Sequence, residues 1–90
     1  MTATSDIIAT LQGQFPALTP RPSADYPAVN VSAASASALL KTLRDSHGYD
    51  MLMDLTALDQ GEGVSPRFLV VWHLFSTTTH GYVRVAAACE

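Results

Sequence analysis

The stretch that decides the fold reads Asp54-Leu55-Thr56-Ala57-Leu58-Asp59 and, after eight further residues, Phe68-Leu69-Val70-Val71-Trp72-His73-Leu74-Phe75-Ser76. Both segments are short apolar runs, the second with aromatic and β-branched residues, and such runs are typical of β-strands. The glycines of Gly61-Glu62-Gly63 between them mark a loop. The two segments therefore predict a hairpin with strands over 51–59 and 67–76.

A third strand extends this hairpin. Residues 81–89 form another apolar run, and they follow a short polar segment, Thr77-Thr78-Thr79-His80. Short connections between successive strands predict antiparallel pairing, because hairpins join antiparallel strands. We therefore expect the C-terminal half of the chain to form an antiparallel meander.

Two helices and two short strands precede the meander. Apolar residues recur at helical spacing before Pro16, and again between an N-cap residue, Ser32, and a helix stop, Gly48. The first set comprises Ile7, Ile8, Leu11 and Phe15, and the second comprises Ala36, Leu39, Leu40 and Leu43. The proline-rich segment 16–27 predicts an extended edge strand near Leu18, and residues 28–31 predict a second short strand.

The resulting element order, α-β-β-α-β-β-β, predicts an α+β fold. Helices on one side of an antiparallel sheet form a two-layer sandwich. We expect both helices to pack on one face of a mostly antiparallel sheet. The length of 90 residues suits a single domain that spans residues 1–90.

The two quoted segments resemble the D-L-T-A-V-D and R-F-x-V-V-Y-H-L-L-S patterns of the 30 kDa subunit family, the C subunit of respiratory complex I, NADH:quinone oxidoreductase. The helix segment Leu39 to Asp45 and the strand segment Tyr82 to Val85 are also similar to that family. The matching region runs from about Leu39 to Arg84, which is roughly half of the chain. The resemblance is to the N-terminal domain of that family.

One family signature is missing from the sequence. The family carries an E-R-E-x-x-D-x-x-G block on the C-terminal side of this domain, and the sequence stops at Cys89-Glu90 without it. We expect either a truncated piece of such a protein or a short relative. Trp72 stands where the family more often has tyrosine, which is a mild change on a packed strand.

Composition and charge exclude several classes of function. A formal net charge of −3 with five scattered basic residues argues against nucleic acid as a partner, since phosphate binding needs clustered Lys or Arg. The one cysteine, Cys89, permits no internal disulfide and no cysteine-based zinc site. The sequence shows no signal peptide and no apolar run of about 18 residues, so we expect no direct membrane insertion.

Alternation along the three long strands assigns side chains to the two faces of the sheet. One face is expected to lie under the helices, and it comprises Met51, Met53, Leu55, Ala57, Val70, Trp72, Leu74, Val83, Val85 and Ala87. The opposite face is mixed. Its predicted partner interface comprises Leu52, Asp54, Leu69, Val71, His73, Phe75 and Arg84.

The apolar residues of this second face raise the question of what covers them. A strand that is apolar on both sides is normally covered on both. Leu69, Val71 and Phe75 thus predict a cover that two helices on the other face cannot provide. The candidates are a partner, a segment missing from the chain or self-association, and the alternative is the N-terminal arm of the chain folding back over them.

Few residues suggest chemistry. His73, flanked across the sheet by Asp54 and Arg84, is either a general base with an orienting carboxylate or part of a structural polar cluster in which an Asp–Arg pair holds the register. We favour the structural cluster because no nucleophile or glycine-rich turn accompanies it. His47 and His80 lack a spacing to His73 that suits a metal site, so no catalytic, cofactor-binding or metal-binding residue is predicted.

The resemblance implies a non-catalytic, cofactor-free module in the hydrophilic arm of complex I. Its partners would be other hydrophilic-arm subunits, and its location would be cytoplasmic, peripheral to the inner membrane through those subunits. Related domains occur in membrane-bound hydrogenase complexes, and a homodimer is possible for the isolated chain. The alternative is a free-standing small-molecule or regulatory binding domain that uses the open sheet face.

Overall fold

The computed structural model describes residues 4–23 and 25–89, and its elements follow the predicted order. The helices are α1 (Thr4–Gln14) and α2 (Ala33–His47), and the strands are β1 (Thr19–Pro20), β2 (Ala28–Asn30), β3 (Met51–Asp59), β4 (Phe68–Phe75) and β5 (Tyr82–Cys89). The predicted α+β class and the element order are confirmed.

Helix α2 begins and ends at the predicted residues. Ser32 occupies the N-cap position with extended backbone angles, but its side chain makes no capping hydrogen bond. The Ser32 carbonyl instead accepts from the Ser35 amide at 3.0 Å. Gly48 ends the helix in the left-handed region at a φ of 74°, which a glycine adopts without the steric cost that a Cβ atom would impose.

The described strands form one five-stranded sheet in the order β1-β2-β5-β4-β3. β3, β4 and β5 make the predicted antiparallel meander. β1 also pairs antiparallel with β2, whereas β2 pairs parallel with β5, with Val29 opposite Val85. Helix α2 carries the chain from β2 past β5 and β4 to the far edge, and this crossover permits the parallel pair.

Both helices bury their apolar stripes on one face of the sheet, as predicted. Leu11 of α1 and Leu39 and Leu43 of α2 have no exposed surface, and they cluster with Val83 and Val85 of β5. Trp72 of β4 is half-buried against the same cluster, so its predicted side of the sheet is confirmed. The hydrophobic core therefore lies between the helices and the central strands.

The predicted face assignment is wrong at the start of β3. The pairing of β3 with β4 shifts between Leu52 and Asp54, where a bulge adds one residue to the β3 side. Leu52 consequently lies opposite Leu74 on the helix side, although strict alternation from Asp54 had placed it on the opposite face. Beyond the bulge, Asp54 pairs with His73 and Leu55 with Trp72, as the alternation predicts.

The expectation that β3 lies under the helices is also wrong. Met51, Met53 and Leu55 are 44%, 53% and 56% exposed, so the two methionines are not core residues. Within the described part of the chain, no β3 residue belongs to the cluster beneath the helices. The reason is topological, because β3 is the edge strand farthest from β1 and β2.

Two carboxylates stabilise the loops at the ends of the meander strands. Asp59 accepts hydrogen bonds from Nε and Nη2 of Arg67 at 2.9 and 2.8 Å and from the Gly61 amide at 2.9 Å, which lowers its pKa. Asp50 accepts from the hydroxyl and the amide of Thr77, and its pKa is lowered as well. Asp59 thus stabilises the loop that the glycines of Gly61-Glu62-Gly63 predict.

A pair of leucine substitutions tests the position of the core. Leu39→Ala should lower the free energy of unfolding by about 2–5 kcal/mol, because it leaves a cavity in a fully buried site. Leu55→Ala, at an exposed edge position, should change it by less than about 0.5 kcal/mol in dilute solution. Urea unfolding followed by circular dichroism measures both, and similar losses for the two variants would contradict the placement of β3 outside the core.

Candidate functional site

A row of charged side chains crosses the open face, which we define as the sheet face opposite the helices. Register places Asp54, His73 and Arg84 side by side on β3, β4 and β5. Arg84 Nε donates to His73 Nε2 at 2.7 Å, and Arg84 Nη2 lies 3.2 Å from Asp25 Oδ2. His73 Nδ1 lies 3.7 Å from Asp54 Oδ2. We call these four residues the polar row.

The hydrogen bonding of His73 determines its tautomer. Because Nε2 accepts from an arginine, which is always protonated, the proton of the neutral ring resides on Nδ1, facing Asp54. The nitrogen that a general base would use is thus already engaged. This arrangement matches a structural polar cluster better than an acid–base site.

The carboxylate partner of Arg84 differs from the predicted one. Arg84 pairs with Asp25, from the loop before β2, whereas Asp54 stands on the other side of His73. Asp25 accepts hydrogen bonds from the Ser23 hydroxyl and the Tyr26 amide, both at 2.7 Å, and from Arg84, which together hold its pKa well below the ordinary value. Sequence spacing alone could not reveal this pair, which joins residues 59 positions apart.

The loop before β2 also supplies aromatic contacts to the open face. The Tyr26 ring stacks on the Tyr82 ring with centroids 4.5 Å apart, and Phe75 lies 4.8 Å from Tyr82 and 6.0 Å from His80. Arg21 contributes a 2.9 Å hydrogen bond to Asn30 on the same side. The loop before β2 therefore packs against Arg84 and Tyr82 on this face.

Leu69 and Val71, for which the sequence predicts an outside cover, expose little surface in this chain. Each is only 8% exposed, and they cluster with Ala86, which is 1% exposed. Phe75 is half-buried in the aromatic row. The loop before β2 contacts Arg84 and Tyr82 on this face, so the cover of Leu69 and Val71 stays a prediction.

A cleft of about 700 Å³ lies on the helix side of the sheet, between α2 and the uncovered strands. Leu40 and Lys41 of α2 form one wall, and Leu52, Val70 and Trp72 form the floor and the opposite wall. Sequence reasoning missed this site because it placed α2 over β3 and Leu52 on the other face. The bulge in β3 that turns Leu52 toward this site leaves no signal in the alternation of the sequence.

Within residues 4–23 and 25–89, no group of three or more His, Cys, Asp or Glu side chains is placed to hold a metal ion. Neither helix in that part of the chain combines the length and apolar character needed to cross a membrane.

Comparison with known proteins agrees with the resemblance seen in the sequence. The family model described as "Respiratory-chain NADH dehydrogenase, 30 Kd subunit" matches residues 29–90, from β2 to the end of the sequence. A protein of Moorella thermoacetica, named as the C subunit of NADH-quinone oxidoreductase, is 38% identical over 80 residues, which cover 89% of this chain and 53% of that protein.

A second relative carries the same name. This protein, from Citrifermentans bemidjiense, is 42% identical over 59 residues, which cover 66% of this chain and 36% of that protein. The chain thus spans about half or less of the length of the curated relatives that it matches.

Acidic pH should weaken the fold through the paired carboxylates. A carboxylate whose pKa is depressed in the folded state contributes stability above the unfolded pKa of about 4, and this contribution is lost as the pH falls through the folded pKa. Asp25, Asp50 and Asp59 are all shifted downward. The free energy of unfolding, measured by urea titration, should therefore decrease between pH 6 and pH 2, because protonation removes the hydrogen bonds that these carboxylates accept.

The variant Asp25→Asn should remove part of that decrease, because the amide keeps the size of the side chain but does not titrate. Glu62→Gln, at an exposed position of the loop between β3 and β4, serves as the control. An Asp25→Asn profile that falls as steeply as the unsubstituted one would show that the hydrogen bonds to Asp25 from Ser23, Tyr26 and Arg84 contribute nothing to the pH dependence.

Proposed function

The chain belongs to the 30 kDa subunit family of respiratory-chain NADH dehydrogenases, and on that basis we propose that it is a non-catalytic structural module of the hydrophilic arm of an NADH-quinone oxidoreductase. The observation that carries the proposal is the family match over residues 29–90, which includes α2 and the three strands, β3, β4 and β5, that contribute to both candidate surfaces. Its partners in this proposal are other subunits of the arm, on the cytoplasmic side of the membrane.

The distribution of exposed apolar side chains supports a scaffolding role. Five of the seven large apolar residues that are exposed in the described part of the chain lie on β3. Soluble monomers seldom leave apolar surface concentrated in this way, and such surface usually marks a contact site. The cleft beside α2 adjoins this surface at Leu52 and is also lined by Lys41, Arg44 and Asp50.

The arrangement of the open face also supports a structural role. His73 is engaged by Arg84, and Arg84 is engaged by Asp25, so the charged groups satisfy one another. Of the seven residues predicted for the interface, we retain Leu52 and Asp54 as exposed contact residues, since Leu69 and Val71 are buried within the chain. The remaining three, His73, Phe75 and Arg84, would act by keeping the face rigid.

An assembly experiment tests the contact surface. Leu52→Arg, introduced into the gene in its native host, places a charge in the apolar cleft and should lower the amount of assembled complex by about tenfold or more, as expected for a central contact residue. Native gel electrophoresis measures assembly, and NADH:quinone turnover is then expressed per assembled complex. The matched control is Val64→Arg, at an exposed loop position outside the cleft, which should assemble normally.

The same experiment separates a structural role from a catalytic one. His73→Gln should leave the turnover per assembled complex unchanged within about twofold, because the glutamine amide can still accept from Arg84. A large loss of turnover with assembly intact would show that His73 takes part in the reaction. Normal assembly of Leu52→Arg would show that the cleft does not contact another member of the complex.

The cleft also supports a second candidate function, a small-molecule binding domain. Its volume of about 700 Å³ falls within the usual range of ligand pockets, and an apolar floor with Lys41 at the rim suits an apolar anion. An anilinonaphthalene sulfonate dye is a suitable probe, and energy transfer from Trp72 would report its binding. Lys41→Glu should weaken binding several-fold if the dye occupies the cleft, and a dye that does not bind would argue against this candidate.

A further inference from the structure

His73 lies between two groups of opposite charge in the polar row. Nε2 of its ring accepts from Arg84 Nε of β5 at 2.7 Å, and Nδ1 lies 3.7 Å from Asp54 Oδ2 of β3. Asp25, from the loop before β2, binds the other end of the Arg84 guanidinium. The side chain of His73 is 25% exposed, so water has access to this row.

Two other titratable side chains lie further along the same side of β4. Tyr82 and His80 both contact the Phe75 ring, with centroids 4.8 and 6.0 Å from it. Phe75 follows His73 by two positions on β4. The groups of the polar row are therefore the charges that face the His73 ring, because both helices pack on the other face of the sheet.

A proton on Nε2 removes the acceptor that holds Arg84. Arginine is always protonated and must be the donor in this hydrogen bond, so Nε2 is the unprotonated nitrogen of the neutral ring. Histidine is the side chain whose ordinary titration falls between pH 5 and pH 8. In the imidazolium both ring nitrogens are donors, so two N–H groups and two positive charges would face each other at 2.7 Å. The contact with Arg84 therefore cannot persist once the ring takes up a proton.

Asp54 offers the protonated ring a new partner. Its carboxylate lies on the Nδ1 side, where the ring carries a proton in both states, and the gap of 3.7 Å exceeds a hydrogen bond by about 1 Å. A positive charge on the ring strengthens this attraction, because charge-assisted hydrogen bonds are roughly twice as strong as neutral ones. The Asp54 side chain is 60% exposed on an edge strand, so it has room to move toward the ring.

We propose that His73 is a proton-operated switch that binds Arg84 of β5 when it is neutral and Asp54 of β3 when it is protonated. The step is the transfer of one proton from solvent to Nε2, and no covalent bond between heavy atoms changes. The switch does not depend on membership in an oxidoreductase, because it uses contacts within this chain.

The exchange reaches the loop before β2 through Arg84. With the neutral ring, one end of the guanidinium is fixed to β4 by His73 and the other end binds Asp25. Without that anchor, Arg84 holds the loop through a carboxylate that is 54% exposed, and exposed ion pairs contribute little. Asp25 also accepts from the Tyr26 amide, and the Tyr26 ring stacks on Tyr82. Proton uptake by the ring therefore weakens these contacts together.

Amide hydrogen exchange of Tyr26, followed by NMR spectroscopy on the whole chain, tests the switch. The Tyr26 amide donates to Asp25 at 2.7 Å, and hydrogen bonds hold the pKa of Asp25 well below its ordinary value, so this carboxylate stays ionised at pH 5.5. Protection of the amide, corrected for the intrinsic pH dependence of exchange, should fall at least about threefold between pH 7.5 and pH 5.5. The ¹⁵N shift of His73 Nε2 reports proton uptake in the same samples.

Two histidine variants assign the change to one ring. His73→Gln keeps an acceptor for Arg84 but does not titrate, so protection at Tyr26 should stay constant over this range. The matched control is His80→Asn, since asparagine tolerates the left-handed backbone of that position, and it should lose protection as the unsubstituted chain does. An equal loss in the His73→Gln chain, or proton uptake by His73 without a loss at Tyr26, would overturn the proposal.

Asp54→Asn tests the exchange of partners. The protonated ring then lacks a carboxylate beside Nδ1, so the loss of protection at Tyr26 should shift to lower pH. Circular dichroism checks that the variant is folded. A midpoint that does not move would show that Asp54 does not receive the protonated ring.

Discussion

The constraint on which the structure depends is the width of sheet that two helices can cover. A helix is about 10 Å wide and strands lie about 4.8 Å apart, so each helix covers about two strands. Five strands therefore leave one without a helix, and the order β1-β2-β5-β4-β3 makes that strand β3. The cleft beside α2 and the exposed leucines and methionines of β3 follow from this shortfall.

The open face of the sheet is stabilised by contacts within the chain. Arg84 stands at the centre of that face, where it donates to His73 and pairs with Asp25 from the loop before β2. Tyr26 of the same loop stacks on Tyr82, so charge and aromatic contacts hold one segment in place. This segment lies on the face that contains Leu69 and Val71, which cluster with Ala86 of β5.

The two faces of the sheet differ in how much apolar surface they expose, and this difference suits a module in a larger assembly. On the open face, charged groups pair with one another and an apolar cluster is already buried. The helix side keeps apolar surface available at one end, next to the strand edge. Affinity between proteins in an assembly generally comes from a small desolvated apolar centre, whereas paired charges mainly set orientation. The proposed scaffold role needs such a surface more than it needs reactive groups.

The sequence by itself determined the element order, the helix stop at Gly48, the meander and the side of the sheet on which Trp72 packs, because these depend on local periodicity and turn residues. It also carried the family resemblance, through the strand segments of β3 and β4. Only the tertiary structure decided the strand order, which placed Met53 and Leu55 in solvent, and the pairing of Arg84 with Asp25 instead of Asp54. The bulge before Asp54, which turned Leu52 to the helix side, was likewise invisible to alternation. These features depend on contacts between residues far apart in the chain, and such contacts leave no periodic signal in the sequence.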